Sequence, residues 1–300
     1  MGKKLRKLCV AGMLGLCITI GWNGPKMQAA DTIWYSDSVK VNHSKSVAYK
    51  ALMTDTSFPV ADRTFGKYVF STNTNGKLIA KKSGKKTVLV SKGQSGAILT
   101  NGKIVYYTVF HYGNSADKNY VQVFSVKING KERKKLFTYK KADNLELCGY
   151  YNGKIYYVKD IDPGYLYSYS IKEKKKQKLF NNVTIAEQHG QYFVNTPYKG
   201  DWGPGTLRVY DAKNNKSKVI TKKVDIWRVI KGKIYFTEFK KIDNKLKHNK
   251  FVFKCVNLSG TKEEVLISEI DANYITKCNE NTVWYVDGEG KEKKVECKKS

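Results

Sequence analysis

The sequence predicts an all-β fold, a six-bladed β-propeller of four-stranded antiparallel blades, and three observations carry that expectation. A Gly-Lys-x-x-aromatic unit recurs at Gly66, Gly102, Gly153, Gly190 and Gly232, with a degenerate copy at Asn281. Runs of alternating apolar and polar residues flank each copy, which is the period of a strand with one face covered. The composition of 21 Tyr, 12 Phe and 5 Trp beside only 5 Pro is that of strand formers, which argues against long helical bundles.

Each anchor falls between two predicted strands. Before it lies a short run such as Ala97-Ile98-Leu99 or Ile226-Trp227-Arg228-Val229, and the anchor strand itself follows, as in NGKIVYY at Gly102 and NGKIYYV at Gly153. A longer loop leads to a third strand, then a tight Lys-rich turn and a short fourth strand, as in YLYSYSIKEKKKQKLF after Gly153. The anchors are 36 to 51 residues apart, the size of a propeller blade. The predicted blades are 59–91, 95–140, 144–181, 183–220, 224–267 and 270–300. Residues 31–58 form an amino-terminal closing segment that contains the strand-like runs IWYS and SVAYKAL. Pairing the stretch near Trp34 with the last blade would remove a bare sheet edge.

Residues 1–30 read as a signal peptide. Lys3, Lys4, Arg6 and Lys7 precede an uncharged stretch from Leu8 to Trp22, then Asn23-Gly24-Pro25 and the small pair Ala29-Ala30. That stretch is shorter than the roughly 20 apolar residues a membrane-spanning helix needs. Export is therefore expected, with secretion into the extracellular space and association with the cell surface. The whole chain carries +29, and residues 1–30 contribute five positive charges and no negative ones, so the exported part carries +24. Lys outweighs Arg, which suits diffuse attraction to an anionic polymer more than bidentate recognition.

The pattern Gly-x-Ile-Tyr-Tyr, then Leu-Tyr-x-x-x-Ile, then Lys-x-Leu is clearest from Gly153 to Leu179. It resembles the β-propeller repeat of secreted Firmicutes proteins that is compared with the low-density-lipoprotein-receptor-related propeller and classed as a domain of unknown function. The resemblance covers most of residues 59–290. It implies a propeller and export, and it brings no catalytic residues to transfer. The Tyr-Trp-Thr-Asp signature of the receptor propellers is absent here, so their ligands are not carried over.

No motif points to catalysis. The four His, at 43, 111, 189 and 248, are scattered without an HExxH pattern, and no GxSxG elbow or phosphate-cradling Gly-rich loop occurs. His189 reads as a solvated turn residue, and Asp160 and Asp162 read as part of a turn with Pro163-Gly164. Of the cysteines beyond residue 30, Cys278 and Cys297 fall on the first and third strands of one blade, out of disulfide reach. Cys255 shares a strand face with Phe251 and Phe253 and reads as a small buried residue, and Cys148 lies in another blade. Free thiols, no metal site and no cofactor are expected.

Topology separates two ends of the blades. At one end emerge the tight hairpins, whose basic rim is expected from Lys131, Arg133, Lys134, Lys174, Lys175 and Lys176. At the other emerge longer and unlike loops, 110–119, 195–204 and 239–249, and loops on a rigid scaffold are where binding residues collect. The candidate ligand residues there are His111, Tyr112, Tyr198, Asp201 and Trp202, since exposed rings beside a carboxylate suit stacking on a sugar or a peptide. The expected function is that of a secreted, non-catalytic binding protein associated with the cell envelope. Its partners would be an anionic envelope polymer or a surface glycan or protein. Nucleic acid is disfavoured because no RNA-binding signature occurs, and any membrane contact would be peripheral. The alternative is an exported propeller enzyme acting on a glycan or peptide.

Overall fold

The computed structural model describes residues 50–52, 64–72, 77–91, 94–142, 144–159, 164–183, 185–196, 205–242 and 249–297. The chain divides between Ile33 and Trp34, and every described residue belongs to the second part. The predicted signal peptide and Trp34 lie outside the described residues, as does any pairing of Trp34 with the last sheet.

The described residues are all-β, and every strand pairing is antiparallel. The first sheet is β2 (Thr64–Phe65), β3 (Tyr68–Thr72), β4 (Leu78–Lys82) and β5 (Lys85–Val90), paired in chain order. The second is β6 (Gln94–Thr100), β7 (Ile104–His111), β8 (Tyr120–Lys127) and β9 (Lys134–Lys140), with β1 (Lys50–Leu52) added on the free edge of β6. The third is β10 (Leu145–Tyr151), β11 (Lys154–Lys159), β12 (Tyr165–Ser170) and β13 (Lys175–Asn181). Next comes a seven-stranded sheet of β14 (Ile185–His189), β15 (Tyr192–Thr196), β16 (Gly205–Asp211), β17 (Lys216–Ile230), β18 (Lys233–Lys241), β19 (Asn249–Asn257) and β20 (Glu264–Ala272). The last is β21 (Tyr274–Cys278), β22 (Thr282–Val286) and β23 (Glu292–Glu296).

Local chemistry explains the hairpins. Asn152 and Gly153 sit at φ of 45° and 76°, and Ser83 and Gly84 at 47° and 79°, the pair of left-handed residues that a two-residue turn between right-twisted strands requires. The anchor glycine of the repeat is thus a turn residue.

Packing explains why the anchor strands are apolar on both faces. In β11, Ile155 and Tyr157 join a core with Leu99, Tyr106, Val121, Val123 and Phe137 of the second sheet. The alternate residues Tyr156 and Val158 face the other way, toward Phe193, Tyr210 and Val183. The first and second sheets share Phe70, Leu78, Val105 and Tyr107, and β15 and β16 share a core with β18 through Val194, Leu207, Ile234 and Phe236. Phe251, Phe253 and Ile270 close against Ile275 and Val283 of the last sheet. Consecutive sheets therefore stack face to face. Strands of successive sheets are neighbours too, with β10 beside β6 and β14, and β17 beside β21. Each fully buried ring in these layers contributes on the order of 1.5–3 kcal/mol.

One polar contact ties the third sheet to β14. Gln188 accepts a hydrogen bond from the Tyr150 backbone N–H at 2.8 Å and donates to the Tyr150 carbonyl at 2.7 Å and the Gly190 carbonyl at 2.7 Å. Because β10 pairs with β11 on its other side, these are the free-edge groups of β10, and one amide side chain satisfies both. Gly149 makes the approach possible, since a Cβ there would come within 2.6 Å of Phe193 and collide with Gln188.

Two features differ from the expected six four-stranded units. Units 183–220 and 224–267 are continuous through β17, whose first half pairs with β16 and whose second half pairs with β18, Val224 serving both. The unit at 270–300 has three strands among its described residues. The run SVAYKAL supplies β1, which pairs with β6 through Lys50 opposite Thr100 and Leu52 opposite Ile98. The other three units coincide with sheets within a few residues.

Candidate functional site

Antiparallel order within each sheet places the first-to-second and third-to-fourth hairpins at one end and the second-to-third loops at the other. At the long-loop end, His111 closes β7 and stacks on its cross-strand partner Tyr120, with centroids 4.3 Å apart and planes within 10°. Its Nε2 lies 3.1 Å from Gln122 Oε1. Tyr112, 61% exposed, stacks on Phe110 at 6.3 Å. The loop beyond is tied to itself: the Gly113 N–H donates to Asn119 Oδ1 at 2.9 Å, and Ala116–Lys118 forms one 3-10 turn. Two stacked pairs thus stand at this end, Phe110 with Tyr112 and His111 with Tyr120, and strand alternation puts Phe110 and His111 on opposite faces of β7. Tyr198, Asp201 and Trp202 lie outside the described residues.

At the hairpin end, Lys131, Lys134, Lys174 and Lys175 are exposed, as the rim requires. Two rim members differ. The Arg133 guanidinium lies over Phe124 at 4.3 Å and Tyr107 at 5.9 Å, so part of its charge is spent on rings of its own sheet. Lys176 is not a rim lysine in the expected sense. Its ammonium sits over Tyr139 at 4.1 Å and Phe137 at 5.2 Å and donates to the Thr138 carbonyl at 2.9 Å. Burial lowers its pKa. The reason is strand alternation: Lys176 pairs with Tyr169, on the face turned to the second sheet, while Lys175 points out.

Two ionisable groups have surroundings that the sequence did not announce. Asp225 is half-buried on β17, accepts a hydrogen bond from the Thr237 hydroxyl at 3.4 Å, and has its pKa pushed up to about 7 by burial. Asp225 and Arg228 both lie within electrostatic reach of the buried Cys278, whose thiol burial pushes up to about 12. His189 corrects the expectation of a solvated turn residue. It ends β14 just before the turn, yet its side chain is fully buried, with Nε2 3.3 Å from Glu187 Oε2 and Nδ1 without a partner among the described residues. The turn begins at Gly190, while the alternation of β14 sends the imidazole of His189 inward.

The four described cysteines are free thiols. Cys255 packs with Phe251 and Phe253 as expected, and Cys278 and Cys297 lie on or beside β21 and β23. Among the described residues no group of three His, Cys, Asp or Glu side chains is placed to hold a metal ion. A shallow depression lined by Asp271, Asp287, Gly288 and Glu289 has Asp287 held by Lys293 at 2.6 Å and Glu289 by Lys291 at 2.7 Å. No described helix is long and apolar enough to cross a membrane.

No protein-family model matches the chain, and no curated protein matches it. Solved structures do. The uncharacterized protein lmo1340 from Listeria monocytogenes EGD-e is 12% identical with a TM-score of 0.45, over 84% of this chain and 84% of that one. The β-propeller domain of the Trilobed protease from Pyrococcus furiosus is 11% identical with a TM-score of 0.41, over 61% of this chain and 59% of that one. An oligogalacturonate lyase in complex with manganese is 14% identical with a TM-score of 0.36, over 54% of this chain and 50% of that one. The chain thus spans less than two thirds of the last two.

Proposed function

We propose that residues 59–300 form a six-bladed propeller that is exported after removal of residues 1–30 and acts as a non-catalytic binding protein of the cell envelope. The hairpin end docks on an anionic envelope polymer, and the long-loop end engages a surface glycan or protein through Tyr112, His111, Tyr198, Asp201 and Trp202. The observation that carries the reading is the exposure of Lys131, Lys134, Lys174 and Lys175 at one end of adjacent sheets. Only one acid side chain lies among residues 129–135, Glu132, and it is taken by Lys127.

Two measurements test it. Retention of the protein on purified cell wall should fall steeply as salt is raised, because exposed charges are screened within about 8 Å at physiological ionic strength. Retention that ignores salt would exclude docking through the rim. At the other end, Tyr112→Ala and Trp202→Ala should each leave the melting temperature nearly unchanged. Each should weaken binding on a glycan and peptidoglycan array by about 2 kcal/mol, as expected of an aromatic hot spot. A fall of many degrees in melting temperature for Trp202→Ala would make that ring part of the core and remove it from the ligand surface.

A further inference from the structure

Cationic charge is distributed unevenly over the sheets. Five lysines of the last two sheets are matched, Lys231 with Glu280 at 2.9 Å, Lys240 and Lys250 with Glu269 at 2.8 and 2.5 Å, Lys254 with Glu238 at 2.6 Å, and Lys293 with Asp287 at 2.6 Å, whereas residues 212–224 hold five lysines and no acidic residue. Residues 64–91, which hold the first sheet, contain six lysines and no acidic residue. Four of the six stand on one hairpin. Lys82 lies directly opposite Lys85, and Lys81 opposite Lys86, across the turn at Ser83-Gly84, and all four are exposed.

Directly opposed residues on antiparallel strands have Cβ atoms about 5 Å apart, and like charges so placed oppose folding. Among the described residues no carboxylate relieves these four. Lys82 has one compensating contact, 5.3 Å above the Tyr68 ring.

The neighbouring hairpin extends the surface. Gly130, at the tip between β8 and β9, sits so close to β5 that an added Cβ would meet the Val88 carbonyl oxygen at 2.8 Å. Lys131, Lys134 and Lys135 are exposed on that hairpin, two residues along β5 from Lys86 at the point of contact.

We infer that the β4–β5 hairpin, with Lys81, Lys82, Lys85 and Lys86 and the adjoining lysines of the β8–β9 hairpin, is the docking surface for a flexible phosphodiester polymer of the polyol-phosphate class. The inference rests on the reading of the hairpin end as an anion-docking face, and it names both the centre of that face and the chemistry it takes.

Three features select this partner. The surface is made of ammonium groups, compact point charges suited to phosphate oxygens, and the one guanidinium among them, Arg133, is turned onto Phe124 away from any bidentate carboxylate. Residues 81–86 and 129–135 contain no aromatic side chain on which a nucleobase could stack, so a polymer without bases fits better than single-stranded nucleic acid. The lysines line both sides of a turn, and a flexible chain with one charge on each repeat can follow that curve.

The test uses the exported chain, residues 31–300, and a fluorescent poly(glycerol phosphate) of defined length, with binding followed over a range of salt. Oligo(dT) of equal phosphate number and polyglutamate serve as competitors. The variant K81Q/K82Q/K85Q/K86Q should bind at least tenfold more weakly at low salt and reduce the log–log salt slope by about 3, from roughly 0.7 per lost phosphate contact. Its melting temperature should be equal or higher, since the opposed charges are gone.

An unchanged slope in that variant, combined with loss of binding in K131Q/K134Q/K174Q/K175Q, would overturn this inference and leave the rim reading standing. Wild-type protein that binds none of the three polyanions would overturn both. Tighter binding of oligo(dT), or competition by polyglutamate equal to that of unlabelled poly(glycerol phosphate), would overturn the assignment to a polyol phosphate.

Discussion

Gln188→Ala is expected to lower the unfolding free energy by about 2–4 kcal/mol, an effect out of proportion to the removal of one half-buried polar side chain. The substitution deletes three hydrogen bonds, and two of them satisfy the N–H and C=O of Tyr150 on an edge of β10 that is paired with no other strand. A buried backbone group left without a partner costs roughly 1–3 kcal/mol. Gly149→Ala should act on the same contact from the opposite side. Its Cβ would press on Gln188 and Phe193 and cost about 1–3 kcal/mol by overpacking. Denaturant unfolding of both single variants and the double variant would measure the coupling. A loss below about 0.5 kcal/mol for Gln188→Ala would mean that the clamp is not needed to hold the third sheet against β14.

Stability should also fall as pH rises from about 4 to about 7, and Asp225→Asn should abolish that fall. The carboxyl of Asp225 has an ordinary value of 3.8 and stands at about 7 in the folded chain, raised by burial. Between those values the folded state holds a proton that the unfolded state has released, so each increment of pH favours unfolding. Above about 7 both states are ionised and the loss is complete. The full difference corresponds to at most about 4 kcal/mol at 1.36 kcal/mol per pKa unit, and the partial exposure of Asp225 reduces it. The neutral amide of the Asn variant can keep a hydrogen bond to Thr237 without the cost of a buried charge. The variant should match the wild type near pH 4 and exceed it at pH 8. Equal stability at pH 8 would show that Asp225 is solvated and untitrated in this range.

The anchors legible in the sequence are those whose signal is local. An Asn-Gly or Lys-Gly pair followed by alternating rings defines a two-residue turn and a strand, and residues 95–140 and 144–181 correspond to sheets at nearly the predicted bounds. What escaped depends on residues far apart in the chain. Asp225 reads as one more acid ahead of Trp227, and its surroundings exist only once β18 and β21 have packed beside β17. Lys176 is one of three consecutive lysines, and only the pairing of β12 with β13 decides which of them turns toward Tyr139. The alternation of β14 could have shown His189 pointing inward, but the glycine after it draws attention to the turn. The exposed ring of Tyr112 was legible as a loop residue beside a strand end, whereas the stacking of His111 on Tyr120 needed the register of β7 against β8.

The unbroken course of β17 bears on how such a chain can be cut, copied or lengthened. A protein assembled from like units can in principle lose or gain one wherever a loop separates them, and its parts can be produced separately and allowed to reassemble. Between β9 and β10 a short connection permits this. Through Thr221, Lys222 and Lys223 it does not, because the same run of backbone is the outer strand of one unit and the inner strand of the next. Only Asn273 separates β20 from β21. The strands from β14 to β23 therefore behave as one inheritable block, and duplication or circular rearrangement would have to begin ahead of β14.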